Sequence, residues 1–164
     1  MGSDQKNPIP VLGLLWDKEA DVLFCDLKLL AKPSKDVSRR KILSIVHKIF
    51  DPVGFSCPVT LLPKLLIQNS WNCKIGWDEP LPEKMQRNFE GWIAELPLLS
   101  EVRIPRCLTA GGSSNGWSLH TFCDASKAAY SAVVFLRNTK EGNGSLRLVQ
   151  AKSRVAPLQD ITIP

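Results

Sequence analysis

The sequence has no Cys-x-x-Cys, no Asp-Thr-Gly or Asp-Ser-Gly, only two histidines and no apolar run of membrane length. Each absence removes a class of protein. The five cysteines, Cys25, Cys57, Cys73, Cys107 and Cys123, are widely spaced, odd in number and have no companion histidine spacing, which argues against a zinc site. They read as reduced, mostly buried thiols of an intracellular protein. Lys64 interrupts the longest leucine-rich stretch, so no membrane span and no membrane partner are expected. The first residues lack the apolar centre of a signal peptide, and the expected location is cytoplasmic or nuclear. An aspartic peptidase needs two carboxylates sharing a proton, and none of the nine aspartates opens the loop that supplies them. His47 and His120 have no catalytic partner at readable spacing. The net charge of +5 is too modest to establish a nucleic-acid partner by itself. No internal repeat is present.

What the chain does contain is patterned. Val11 to Trp16 and Val22 to Cys25 are short β-prone runs joined by a polar connector, a hairpin signature. Leu27 to Asp36 reads as a linker punctuated by Pro33. Ser38 is a good N-cap for a helix to about Phe50, with Ile42, Ile45, Val46 and Ile49 forming one apolar stripe. Arg39, Arg40, His47 and Lys48 are read as lying off that stripe. Asp51-Pro-Val-Gly54 should end this helix. A second helix is expected from Pro58 to Trp71, capped by Ser56 or Cys57, with Pro63 kinking it or delaying its start. A third follows Pro80 and Pro82, with Met85, Phe89, Trp92, Ile93 and Leu96 on one face before Pro97. Thr109 to Gly116 reads as a flexible linker. Three strands follow, at 118–123, 129–137 and 146–155, the last two joined by an exposed loop. The fold class is therefore α+β: an N-terminal hairpin, a helical part, then a partial mixed sheet of about three strands. The expected division is 1–36 hairpin and linker, 37–108 helical region, 109–116 linker, and 117–164 sheet.

Several side chains have both a structural and a chemical reading. Asp124, at the end of a strand in His120-Thr-Phe-Cys-Asp-Ala-Ser126, is either a turn aspartate or a metal ligand. Arg39, Arg40, Lys41 and Lys48 on the first helix, and Lys152 and Arg154 on the last strand, are either solvated surface or phosphate contacts. Trp16, Trp71, Trp77 and Trp92 can stack on bases but are expected to anchor the core.

The order of these segments resembles the polyprotein of BEL/Pao LTR retrotransposons, from the end of the reverse-transcriptase palm into the first strands of RNase H. Leu12-Gly-Leu-Leu-Trp-Asp17 resembles the hairpin that grips the primer. Arg40-Lys-Ile-Leu-Ser44 through Phe50-Asp-Pro-Val-Gly54 resembles the thumb, and Pro58-Val-Thr60 to Gln68-Asn-Ser-Trp71 its second helix. Trp77-Asp-Glu-Pro-Leu-Pro82 and Ile104-Pro-Arg106 are similar to the connection. Phe122-Cys-Asp-Ala-Ser126 with Ala129-Tyr130, and Ala151-Lys-Ser-Arg-Val-Ala-Pro157, look like the opening of the nuclease.

The resemblance implies a partner, an RNA–DNA hybrid or template–primer, and cleavage by two Mg²⁺ ions clamping the attacking water and leaving oxygen. It makes Asp124 the first metal ligand, bridging both ions, and places the remaining acids beyond Pro164. The polymerase carboxylates belong to a paired-aspartate motif, and no Asp-Asp occurs here. The expectation is thus a truncated reverse transcriptase/RNase H fragment that binds hybrid, works only with the rest of the polyprotein, and is inactive alone. Whether it counts as an enzyme stays open, and Mg²⁺ is expected only in the full-length context. Two alternatives stand beside it: a non-catalytic nucleic-acid-binding remnant and a Pao-type aspartic peptidase region. Without the missing helices, residues 117–164 are expected to leave one sheet face uncovered.

Overall fold

A computed structural model describes residues 7–28, 36–109, 116–140 and 143–158. Most of the Leu27–Asp36 and Thr109–Gly116 linkers lies outside them. The architecture is α+β with two antiparallel sheets. Strands β1 (Ile9–Val11), β2 (Leu14–Asp17), β3 (Val22–Cys25) and β4 (Ile104–Pro105) form the first, in that order. Helices α1 (Arg39–Val46), α2 (Cys57–Ser70) and α3 (Glu83–Glu95) lie between β3 and β4 in sequence. Strands β5 (Trp117–Ala125), β6 (Ala129–Lys140) and β7 (Asn143–Val155) form the second sheet, with β6 in the middle. No helix among the described residues is long and apolar enough to cross a membrane.

The run Val11–Trp16 is not one strand. Leu12 and Gly13 both take positive φ, 47° and 82°, the backbone of a tight hairpin turn, so β1 folds back on β2. The Asp17 carboxylate accepts from the Glu19 and Ala20 amides and thereby shapes the β2–β3 turn. Residues Ile104-Pro-Arg106 then close onto this hairpin. Leu23 pairs with Ile104, and the Arg106 guanidinium grips the Asp21 carboxylate at 2.6 Å beside the Trp16 ring.

That contact has a pH signature. The Arg106 hydrogen bond holds the Asp21 carboxyl below its ordinary value, partly offset by desolvation and reinforced by the Trp16 indole N–H. A carboxyl depressed in the folded state stabilises fully above its unfolded pKa, about 3.9, and loses that contribution as pH falls through the lowered value. Asp21→Asn is therefore expected to be less stable than the parent at pH 7 and nearly equal to it near pH 2 in urea melts. A stability gap that persists in acid would contradict this.

In the helical layer Ser38 accepts from the Lys41 amide as N-cap of α1. The regular helix stops at Val46, earlier than Phe50, because the last turn tightens to i→i+3 bonds from Lys48 and Ile49. Asp51 then organises the next turn, its two oxygens accepting from the Gly54 and Ser56 amides. Pro63 sits inside α2 without ending it. Proline removes the N–H that the Val59 carbonyl, four residues back, would accept. The indole N–H of Trp92 on α3 supplies that donor at 2.9 Å, so the proline locks α2 to α3. Along α3, Phe89, Trp92 and the following Leu96 are buried and Met85 and Ile93 pack against them.

The core of buried apolar residues runs from Leu14 and Cys25 of the hairpin through α1 and α2 to Leu99. No described residue after Leu99 joins it. The second sheet is instead carried by its edge. Val53 accepts from the Ala151 amide at 2.8 Å, Ser153 donates to the Cys57 carbonyl, and Gln68 donates to the Ala156 carbonyl. Leu119 and Phe122 remain 67% and 59% exposed although they project from opposite faces of β5, so that strand is open on both faces rather than on the one expected. The cysteines depart from expectation. Only Cys25 is buried, and burial together with the Asp51 charge pushes its thiol up to about 12. Cys123 is exposed and the others are intermediate, all as free thiols.

Candidate functional site

The end of the second sheet nearest the β5–β6 turn collects three of the residues singled out in the sequence. Asp124 lies opposite Ser131, and Ser131 opposite Ser153. Directly opposed residues share a face and successive ones alternate. Asp124, Ser131 and Ser153 therefore belong to the face that meets the start of α2, where Ser153 contacts Cys57. Lys152 and Arg154 emerge on the other face, in register with Ala132 and Tyr130 and, one strand further, Cys123 and Ala125. A shallow cavity of about 420 Å³ is lined by these six residues together with Asp124 and Ser131.

The electrostatics of this end are simple. Lys152, Arg154 and Tyr130 are exposed. No ion pair among the described residues engages either cation. The Asp124 side chain is exposed, and its Oδ1 accepts from the neighbouring Ala125 amide at 2.9 Å. Ser126 shapes the turn by accepting from the Ala128 and Ala129 amides. Two hard cations need several convergent oxygens. One locally bonded carboxylate does not fit a Mg²⁺ pair, and no cluster of three or more ligating side chains occurs among the described residues. The chemistry this arrangement can perform with its own groups is attraction of an anion to one face by Lys152 and Arg154, with an aromatic beside them.

The four cations of α1 and its end do not converge with these. The expectation that Arg39 contacts phosphate is corrected by its position: it is 3% exposed. Its Nε donates to Ser70 Oγ and its Nη1 to the Ile75 carbonyl, each at 2.7 Å, while Nη2 donates to the Ser70 carbonyl. The guanidinium also stacks on Trp71, 4.5 Å from the ring centre. A sequence signal existed. Arg39 precedes Ile42 by three and Val46 by seven, so it extends the apolar stripe by one turn. Arg40 points outward and forms a bidentate pair with Asp78, at 2.6 and 3.1 Å. That pair holds the Asp78 carboxyl low and the Arg40 guanidinium high. Lys41 donates to the Asp36 carbonyl, and Lys48 is exposed at the far end of the helix. Of the tryptophans, only Trp92 is a buried anchor. Trp71 and Trp77 meet edge to face at 5.7 Å and stay partly exposed, at 48% and 39%.

The described residues form an α+β body whose second sheet is antiparallel, with an acid near the end of its first strand and cations on its third. Residues 38–164 match the family described as Pao retrotransposon-like RNaseH-like domain, and the chain belongs to the Pao retrotransposon family. The match runs unbroken from the N-cap of α1 through the helices and β5–β7. No curated protein matches the chain.

Proposed function

We propose that this chain is the nucleic-acid-holding segment of a retroelement reverse transcriptase/RNase H polyprotein. It grips an RNA–DNA hybrid or template–primer, in the cytoplasm or nucleus, and depends on the rest of the polyprotein for the carboxylates of cleavage. The observation that carries the reading is the pair Lys152 and Arg154, exposed on one face beside Tyr130 and free of acidic partners among the described residues. Alternate residues of a strand lie about 6.5 Å apart, close to the spacing of successive phosphates. Lys48 and Arg40 are secondary contacts, the second only if a phosphate displaces Asp78.

Fluorescence anisotropy with a labelled hybrid tests this. Lys152→Ala/Arg154→Ala is expected to weaken binding about tenfold at 0.1 M salt and to lower the salt slope by about 1.8, the share of two phosphates. With Mg²⁺ present the parent chain is expected to leave the hybrid uncut, since Asp124 alone does not organise the ion pair. An unchanged salt slope in the double variant would remove Lys152 and Arg154 from the interface. Cleavage by the parent chain would contradict the expected inactivity, and its persistence in Asp124→Asn would show that other residues perform it.

A further inference from the structure

A second cavity, remote in sequence from Lys152 and Arg154, lies where the end of α1 meets α2. It measures about 390 Å³ and is lined by Val46, His47, Ile49, Phe50, Thr60 and Lys64. That volume is within the range of small-molecule sites, about 300–1,000 Å³. Its most unusual member is Phe50, a large aromatic side chain left 56% exposed. The ring is not loose. A Cβ placed on Gly13 would fall 2.6 Å from Phe50 Cδ1, so the β1–β2 turn braces the ring and tolerates only glycine there. Leu12, the neighbour of Gly13 in the β1–β2 turn, is 73% exposed.

The rest of the lining is cationic or neutral. Lys64 has no ion-pair partner among the described residues, and His47 and the adjacent Lys48 are exposed. No acid among the described residues lines the cavity. The nearest one in sequence, Asp51, has both oxygens committed to the Gly54 and Ser56 amides. A braced, exposed aromatic face with basic groups at its rim is the chemistry that takes a base by stacking and a phosphate by charge. We propose that this cavity holds one nucleotide of an unpaired strand, its base on Phe50 and its phosphate between Lys64 and His47. The site is separate from the hybrid contact proposed above and stands or falls independently of it.

The probe is a short oligothymidylate carrying a single 2-aminopurine. Its fluorescence is expected to fall saturably as the parent chain is added. Phe50→Ala is expected to abolish that drop and weaken binding about tenfold, the scale of one base–aromatic contact. Phe50→Trp should retain both, and Lys64→Ala should weaken binding about threefold with a shallower salt dependence. Lys152→Ala/Arg154→Ala should leave the 2-aminopurine signal intact, while Phe50→Ala should leave blunt hybrid binding intact. A circular dichroism melt checks that Phe50→Ala stays folded. If it does not, the Lys64→Ala and Phe50→Trp arms decide alone. The proposal is overturned if the parent chain gives no saturable 2-aminopurine change, whether or not it binds hybrid, or if Lys64→Ala binds the strand as the parent does. It is equally overturned if a free mononucleotide competes as well as the strand, because the site would then be a nucleotide pocket.

Discussion

Gly54→Ala is expected to cost about 3 kcal/mol and to lower the melting temperature by about 6–12 °C. Gly54 sits at φ +89°, and a Cβ there would lie 1.8 Å from the Ala151 carbonyl oxygen and 2.6 Å from its carbon. The obstacle is backbone, so no rotamer change relieves it. The chain must either leave the left-handed region or push β7 away. Pushing β7 away breaks the Ala151–Val53 hydrogen bond, a tie between the helical layer and a sheet none of whose described residues joins the buried core. Gly91, in α3, is the matched control. Nothing lies within 4 Å of its added Cβ, and Gly91→Ala is expected to gain about 0.5–1 kcal/mol. Circular dichroism melts of the two variants, with amide exchange at Ala151, check the argument. A Gly54→Ala melt within about 2 °C of the parent would show that the turn does not hold the sheet.

Arg39→Ala is expected to cost about 3–4 kcal/mol, because it strips the donors from two carbonyls and leaves Trp71 unsupported. The acceptors are the Ser70 and Ile75 carbonyls with Ser70 Oγ, and Ser70 is itself fully buried. Arg39→Lys should recover less than half of the loss, since an ammonium cannot reproduce the planar fork or the stack on Trp71. Hybrid affinity measured well below the melting temperature should change little in either variant. Chemical denaturation and anisotropy on the same samples separate the two roles. A stable Arg39→Ala that binds hybrid poorly would return this residue to the interface.

These two positions also show where sequence reasoning reaches and where it stops. Ser38 as N-cap, the buried face of α3 and the three strands of the second sheet are legible, because capping chemistry and hydrophobic period act within a few residues of each other. The β1–β2 turn is not legible. Leu12 at positive φ is a poor turn former, and the packing of Phe50 against Gly13 from thirty-seven residues away is invisible to a local reading. Strand β4 is two residues long, below any periodic signal, and exists because Arg106 finds Asp21. Pro63 reads locally as a kink or a late helix start. The Trp92 indole, donated from another helix, is what lets α2 continue.

The candidate site divides the same way. Lys152 and Arg154 two apart on a strand must share a face, and period two is enough to say so. That Asp124 lies on the opposite face depends on the pairing of Asp124 with Ser131 and Ser153, a property of the turn and ladder rather than of any one segment. By itself the sequence determined the α+β class, the order of elements, the helix cap and buried faces, and membership of the Pao retrotransposon family, which the match over residues 38–164 bears out. Only the tertiary structure decided which of two adjacent arginines is a buried strut and which an exposed ion pair, and which face each charge presents. Local propensities and patterns act over a few residues. The direction a long charged side chain finally takes is set by whichever distant carbonyl, ring or carboxylate the fold brings within hydrogen-bonding reach.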